Sequence, residues 1–348
     1  MIDWLKILVI SKRIFSVNSH CDDHYKYFDI LGFKLKIRKK ISNNELLEKI
    51  QNQSKEIKDL NNQINALKFT INNCIDVTKV PKATGLLRQL QVADTLALKI
   101  FHKFCEKNNL TYWLDYGTLL GAVRHNGFIP WDDDVDIAMP RKDYEYLRTN
   151  LYKELEQLNF EVNQGINFYH PILRIIYKSS KIIIDIFPYD NYYAENIDNK
   201  EELANNIHKC HEILINSIAF KNFKKGLCKF PTEEILQAQK ELINNGHNPI
   251  PNKYIHSGCD AIIYNKPRIY KYEWIYPVKL HYFEDTQLFI PNNYDEYLKE
   301  IYINYLILPD FSDTKNIPHS HIINNLQNFP LEDYCKELQN IYENYTNK

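Results

Sequence analysis

Four aspartates lie within five consecutive positions of the segment GFIPWDDDVDIAMPR: Asp132, Asp133, Asp134 and Asp136. Their neighbours include Trp, Val, Ile and Met, so the charges are set in an apolar stretch rather than in a polar loop. Alternate residues of a β-strand point to the same face, which predicts that Asp134 and Asp136 project together. A strand that extends backwards adds Asp132 to that face and turns Asp133 away from it. Like charges at this spacing repel each other, and a divalent cation with carboxylate ligands removes the repulsion.

A further aspartate, Asp185, interrupts the apolar run KIIIDIF of residues 181–187. An ionised carboxylate in such a strand needs a cation or several hydrogen-bond donors beside it. If this strand lies next to the first, Asp185 completes a cluster with Asp134 and Asp136 that suits Mg²⁺ or Mn²⁺ bound to phosphate oxygens. Two other interpretations stay open: a solvated acidic turn for the first group, and a pairing of Asp185 with a basic residue such as Arg174.

The segment DYGTLLGAVRH, residues 115–125, supplies the third part of the pattern. A strand–turn–helix with Gly117 and Thr118 at the turn leaves backbone N–H groups at the helix start, where they can bind phosphate. Arg124 follows about two helical turns later and is either a bidentate phosphate contact or an exposed helix residue. Trp131 is either a substrate contact or a packing residue, and the sequence favours neither interpretation.

Hydrophobic periodicity predicts the elements that must position these groups. Helices are predicted at residues 85–109, 118–125, 141–158, 232–244 and 293–305, and strands at 110–117, 134–139, 171–177 and 181–187. This succession of strands and helices indicates an α/β (α+β) fold, with a small mixed sheet flanked by helices.

Residues 43–76 carry apolar side chains at alternating steps of four and three. The seam has Ile at a and Leu at d, interrupted by Gln53, and its apolar members are Leu46, Ile50, Ile57, Leu60, Ile64, Leu67 and Ile71. Ile at a with Leu at d favours a parallel two-stranded coiled coil, which predicts a homodimer through this segment. A single helix folded back on the rest of the chain is the other interpretation.

Composition limits the classes of protein and partner. The chain has 348 residues, 44% hydrophobic and 25% charged, enough for one large or two ordinary globular domains. A net charge of −1 argues against binding nucleic acid through bulk electrostatics. Seven scattered cysteines without a CxxC pair indicate neither a disulfide framework nor a structural metal. The sequence has no apolar run of about 18 residues that would predict a membrane span, so we expect a cytoplasmic protein.

Residues 1–42 form a short basic N-terminal element. Apolar and basic residues alternate in FKLKIR, residues 33–38, which predicts a short amphipathic strand or hairpin. Peripheral contact with the anionic inner face of the membrane is one interpretation, and a small solvated β-element is the other. Pro81 marks a boundary, after which residues 82–348 form the main domain.

The segment Tyr112–Leu147 resembles the signature of the LicD family. This family belongs to the nucleotidyltransferase-fold superfamily and includes bacterial phosphocholine transferases and fukutin-related ribitol-phosphate transferases. The superfamily pattern is a small-residue turn, an Asp-x-Asp strand and a later acidic residue. In this sequence those parts are Gly117-Thr118, Asp134-Val135-Asp136 and Asp185.

The resemblance covers roughly residues 82–325. Residues 283–310 resemble the family's C-terminal block, except that Tyr302-Ile303 stands where a Tyr-Gly pair is usual. The resemblance implies a nucleotidyltransferase-like catalytic domain behind the coiled-coil helix. It also implies metal-dependent transfer of a phospho-alcohol group, most commonly phosphocholine from CDP-choline, onto a glycan such as capsule or lipooligosaccharide.

In this scheme Asp134, Asp136 and Asp185 hold the metal, while Gly117 and Thr118 cradle the donor phosphate. The proton of the acceptor hydroxyl goes to Asp132 or to Asp185, and the sequence leaves that choice open. Two rivals are a glycosyltransferase that uses Asp-x-Asp to hold a nucleotide-sugar, and a catalytically silent coiled-coil scaffold. The Gly117 turn and Asp185 argue against the first rival, and the presence of every acid argues against the second.

Overall fold

The computed structural model describes residues 17–21, 25–30, 33–38, 43–167, 170–191, 200–226, 237, 241, 253–257, 267–308 and 326–346. The chain divides into two compact units, residues 1–75 and 76–348. The predicted helix at 232–244 lies outside the described residues except for Gln237 and Glu241, which are helical. None of the described helices combines the length and the apolar character needed to cross a membrane.

The first unit contains a small antiparallel sheet and a long helix. Strands β1 (Val17–Cys21), β2 (Tyr25–Ile30) and β3 (Phe33–Arg38) pair in that order, so the alternating basic segment is one arm of a hairpin. Helix α1 follows as 32 uninterrupted residues, Asn43–Cys74. The heptad segment is therefore a single continuous helix, and its pairing with a second copy stays a prediction.

The second unit is built on a mixed seven-stranded sheet. Its strands are β4 (Trp113–Leu114), β5 (Val135–Pro140), β6 (Phe160–Asn167), β7 (His170–Tyr177), β8 (Ile183–Asn191), β9 (Tyr254–Ser257) and β10 (Ile269–Lys271). The pair β5–β8 is parallel, and the other pairings among these strands are antiparallel. Strand β8 is central, because β5 lies along one side of it and β7 and then β9 lie along the other. This confirms the predicted mixed sheet.

Helices and one further hairpin surround the sheet. The helices are α2 (Gly85–Asn108), α3 (Tyr116–His125), α4 (Arg141–Tyr146), α5 (Tyr152–Glu156), α6 (Lys200–Asn216), α7 (Ile218–Lys224), α8 (Tyr272–Ile275), α9 (Tyr294–Tyr302) and α10 (Leu331–Thr346). A π-helical turn at Leu147–Leu151 divides the single helix predicted for 141–158. The hairpin consists of β11 (Lys279–Phe283) and β12 (Thr286–Ile290). Helix α10 packs along α2, where Gln89 donates a hydrogen bond to Glu332.

A buried carboxylate joins the start of α3 to the sheet. Asp115 is fully buried and caps α3 by accepting the N–H of Tyr116 at 2.8 Å. It also accepts the hydroxyl groups of Tyr189 on β8 and Tyr297 on α9, both at 2.8 Å. Burial raises the pKa of Asp115, and these donors oppose the rise. The turn before Gly117 is therefore fixed by three elements at once.

The loop that leads to the acidic segment is anchored by Glu284, in the turn between β11 and β12. Its carboxylate accepts two hydrogen bonds from Arg88 at 3.0 and 2.6 Å, one from Lys82 at 2.5 Å and one from the Phe128 N–H at 3.3 Å. A Cβ at Gly127 would lie 2.4 Å from Glu284 Oε1, so the loop can approach this closely only with glycine there.

Candidate active site

The parallel pair of strands brings two of the predicted metal ligands side by side. Asp136 on β5 and Asp185 on β8 are register partners. The flanking pairs Val135–Ile184 and Ile137–Ile186 are buried in the core, so the two aspartates are polar exceptions between apolar neighbours. Asp134 directly precedes β5. The pKa of Asp136 is raised well above its usual value by burial and then by the charges of Asp134 and Asp185.

Asp132, Asp133 and Asp134 form a carboxylate cluster beside this pair. One oxygen from each lies within 4.8 Å of the others. Burial raises the pKa of Asp132 well above its usual range, and the charges of Asp134 and Asp133 raise it further. Asp133 is only 6% exposed and belongs to the cluster, so the expectation that it points away is wrong. The chain there is not yet strand, and period-two alternation does not apply to it.

The cluster fits a divalent cation by the chemistry of its donors. Within the described residues, Asp132 Oδ2 is buried and accepts no hydrogen bond. An oxygen of this kind, close to other carboxylates, is left with repulsion that a hard cation relieves. The fit rests on the oxygen donors and on the raised pKa values of Asp132 and Asp136.

Asp185 has a different partner. Arg174 on β7 is its register partner, and the guanidinium donates from Nε to Oδ1 and from Nη2 to Oδ2, both at 2.7 Å. This hydrogen bonding raises the pKa of Arg174. The structure thus shows the ion pair that the sequence left as an alternative for Asp185. Each carboxylate oxygen accepts one hydrogen bond from Arg174 and keeps a second lone pair, so Asp185 can become a metal ligand either beside Arg174 or in exchange for it.

The turn at the start of α3 lies against the acidic cluster. A Cβ on Gly117 would lie 2.8 Å from Asp132 Oδ2, so the glycine permits this approach. Tyr116, one residue earlier, has a positive φ of 41°. Thr118 is buried, and its hydroxyl accepts the N–H of Asp136 at 2.8 Å. Thr118 therefore fixes the start of β5 beside the turn, and its predicted contact with phosphate stays a prediction.

Arg124 is buried at the far end of α3 and is not an exposed helix residue. Its Nη1 donates to the carbonyl oxygens of Tyr305 at 3.1 Å and Ile307 at 3.4 Å. The guanidinium carbon lies 6.0 Å from the centre of the Trp131 ring, which is half-buried against the core. Burial lowers the pKa of Arg124 to about 10. These contacts tie α3 to the segment after α9, and the predicted substrate contacts of Arg124 and Trp131 remain predictions.

Two further residues near the site did not emerge from the sequence. Asp94 on α2 is fully buried, and neither of its oxygens makes a hydrogen bond within the described part of the chain. The pKa of Asp94 is raised by burial and then by the charges of Asp134 and Asp133. The nearby backbone N–H of Ile183 opposes part of this rise, although it is not placed to form a hydrogen bond. Asp94 lies four residues after Leu90, on the apolar stripe of α2. A charged residue on an apolar stripe is the sequence feature that could have identified it as a candidate site residue.

Arg268 is the second such residue. It precedes β10 at the rim of the sheet, and its guanidinium carbon lies 4.7 Å from the centre of the Tyr116 ring. Its positive charge lowers the pKa of Asp115 and of Tyr302, against the effect of burial. A positively charged side chain therefore lies at the turn before Gly117. No local motif in the sequence marks Arg268.

A mixed sheet with a strand–turn–helix beside paired carboxylates defines a nucleotidyltransferase-type domain. Comparison with known proteins agrees, because residues 109–253 match the family model described as LicD/FKTN/FKRP, nucleotidyltransferase domain. Residues 109–253 of the chain belong to the LicD family, and the chain is a phosphotransferase enzyme.

One relative extends the match beyond the domain, and two others match short segments. The chain is 28% identical over 265 residues to "Lipopolysaccharide cholinephosphotransferase LicD" of Haemophilus influenzae, which covers 67% of this chain and 95% of that protein. It is 50% identical over 38 residues to "Ribitol 5-phosphate transferase FKRP" of Homo sapiens, covering 11% of this chain and 8% of that one. It is also 38% identical over 50 residues to "Mannosyltransferase regulator 4" of Saccharomyces cerevisiae, covering 14% and 4%. Of these three relatives, the Haemophilus influenzae protein is matched over nearly its full length and the other two over short segments.

Proposed function

We propose that this chain transfers a phospho-alcohol group from a nucleotide-diphosphate donor to a cell-surface glycan, with CDP-choline as donor and phosphocholine as the group transferred. The observation that carries the proposal is the parallel pair Asp136 and Asp185 beside the Asp132–Asp134 cluster, set against the Gly117 turn in the family-matched domain. The similarity to a bacterial cholinephosphotransferase, over 95% of that protein's length, supports choline over other alcohols.

Asp134 and Asp136 would hold Mg²⁺ or Mn²⁺, and Asp185 would join them either beside Arg174 or in exchange for it. When bound, the cation neutralises charge on the donor pyrophosphate and on the departing nucleotide. The hydroxyl of Thr118 accepts the backbone N–H of Asp136, so this ligand is positioned before the donor arrives. Arg268 stands at the same turn and would supply a positive charge toward the donor phosphates.

Asp132 is the better candidate for the general base. Both oxygens of Asp185 are held by Arg174, whereas Asp132 Oδ2 accepts no hydrogen bond in the described structure and faces Gly117. In the proposed step, Asp132 takes the proton of the acceptor hydroxyl, whose oxygen forms a bond to the phosphorus of phosphocholine. The bond from that phosphorus to the bridging oxygen breaks, and CMP leaves. The chain shows no nucleophile positioned for a covalent intermediate among the described site residues, so direct in-line transfer is the simpler scheme.

Purified protein with Mg²⁺, glycan acceptor and CDP-choline, CDP-ribitol or a UDP-sugar tests the proposal. We expect release of CMP from CDP-choline and a gain in acceptor mass of one phosphocholine. Asp132→Asn should lower the turnover rate about 10²- to 10⁴-fold while donor binding persists. Turnover of the UDP-sugar alone would establish the sugar-transferase alternative, and donor binding without turnover of any donor would establish the silent scaffold.

The acceptor is best found in cells. Mass spectra of surface glycan from cells with the protein, without it, and with the Asp132→Asn variant should differ by phosphocholine, which only the wild type adds. Identical spectra from all three would contradict glycan modification by this chain.

A further inference from the structure

Helix α1 presents an exposed apolar stripe that is interrupted only at Gln53 from Ile50 onward. The side chains of the stripe are between 38% and 62% exposed: Ile50, Ile57, Leu60, Ile64, Leu67 and Ile71. From Ile50 to Cys74 the stripe extends for about 36 Å at the usual helical rise. A long exposed apolar surface of this kind on a protein marks a site of interaction.

We propose that a second copy of this chain covers the stripe, as a parallel and in-register two-stranded coiled coil through α1. The a positions are Ile50, Ile57, Ile64 and Ile71, and the d positions from Leu60 onward are Leu60, Leu67 and Cys74. β-Branched residues at a with Leu at d pack best in two parallel strands. Among the described side chains of α1, the large apolar residues off this seam are Leu47 and Phe69, so most of the exposed apolar surface follows the a and d positions. A helix that lies on a membrane or on a globular core has a broader apolar face.

The single polar residue of the seam selects the direction and register. Gln53 occupies a d position and is exposed on the isolated helix. In a parallel, in-register pair the two copies of Gln53 face each other, and each amide can donate to the other. In an antiparallel pair d positions face a positions, so Gln53 would meet Ile and lose its hydrogen bonds on burial.

The charges beside the seam allow the same arrangement. In a parallel pair, each g residue faces the e residue five positions later in the partner, which gives Lys49 opposite Ser54 and Glu56 opposite Asn61. Neither pair brings like charges together. A second copy therefore meets no electrostatic barrier along this part of the seam.

Cys74 makes the register measurable. It is exposed and lies at the last d position of α1, so a parallel in-register pair places the two Cys74 thiols within reach of a disulfide. In an antiparallel pair they lie at opposite ends of the coil. The experiment uses the full chain with every other cysteine replaced by serine, treated with a copper–phenanthroline oxidant that accepts the two electrons of the new bond.

We expect a disulfide-linked dimer that reducing agent reverses and that is absent from the additional Cys74→Ser variant. Light scattering of the full wild-type chain should give twice the monomer mass. Ile57→Lys with Ile64→Lys should return a monomer, whereas the matched control Gln51→Lys with Asn65→Lys, which adds the same charge to the same helix away from the seam, should stay dimeric. A monomeric wild type at micromolar concentration would overturn the proposal in favour of a helix folded back on its own chain, and a dimer that does not cross-link through Cys74 would overturn the parallel register.

Discussion

The Arg174–Asp185 ion pair allows a quantitative test of whether Asp185 exchanges Arg174 for a cation. Replacing Arg174 with Gln removes two charge-assisted hydrogen bonds of 2.7 Å and leaves Asp185 beside Asp136 without its cation. Hydrogen bonds to charged groups contribute about 1.5–3 kcal/mol. The two side chains are 29% and 14% exposed, so solvent screens the pair, and we expect a loss of about 2 kcal/mol in the free energy of unfolding.

The loss in the free energy of unfolding caused by Arg174→Gln should depend on the concentration of divalent cation. If Asp185 exchanges Arg174 for Mg²⁺, the cation binds the Arg174→Gln variant without first breaking an ion pair, and it stabilises the variant more than the wild type. The difference in stability between the two should therefore shrink as Mg²⁺ is added. Urea unfolding followed by tryptophan fluorescence, with chelator and then with millimolar Mg²⁺, measures both effects. Arg174→Lys is the matched control, because it keeps the charge and loses only the bidentate geometry. An unchanged difference at every Mg²⁺ concentration would show that Asp185 does not exchange Arg174 for the cation.

Three other substitutions follow from local geometry. Gly117→Ala places a Cβ 2.8 Å from Asp132 Oδ2, so we expect turnover to fall about tenfold or more with little change in thermal stability; equal turnover would contradict the role of that contact. Asp94 has a raised pKa, so the wild type loses stability as pH rises from about 4, the unfolded pKa, toward the folded pKa, by up to about 1.4 kcal/mol per pH unit. Asp94→Asn removes this dependence and should be the more stable protein at pH 7 but not at pH 4, and parallel stability curves for the two proteins would refute the reasoning. Ile303 is 89% exposed and lies in a γ-turn with φ 59° and ψ −62°. Ile303→Gly should therefore raise the free energy of unfolding by about 1 kcal/mol, whereas Ile303→Ala should not. A loss of stability in the glycine variant would show that the backbone at Ile303 is not strained.

Elements with strong periodicity could be predicted from the sequence. The predicted helix at 85–109 is α2, Gly85–Asn108, because its apolar stripe is regular over several turns. The single acids in apolar runs were equally informative, since β5 and β8 carry Asp136 and Asp185 as register partners. The sequence has Ile303 where the LicD family usually has glycine, and the structure gives this position a positive φ, which glycine tolerates best.

Features that depend on distant contacts could not be predicted. The carbonyl partners of Arg124 lie 181 and 183 residues further along the chain, so its helical position suggested exposure when it is in fact buried. Hairpin β11–β12 turns at Glu284 and Asp285 without glycine or asparagine, and the left-handed φ of 54° at Glu284 is supported by the contacts of its side chain. Helix α10 also went unassigned, although it contributes Leu331 and Leu338 to the core.

We propose that the acidic site around Asp134 and Asp136 is a cation-dependent site for the nucleotide donor. Isothermal titration of the protein with CDP-choline tests it most directly, in the presence of Mg²⁺ and of chelator. We predict binding that requires Mg²⁺, that persists in Asp285→Asn, where an exposed surface aspartate is changed, and that is lost in Asp134→Asn with Asp136→Asn. Binding that is equal in chelator, or that survives in the Asp134 and Asp136 double variant, would show that these carboxylates do not form a cation-dependent donor site.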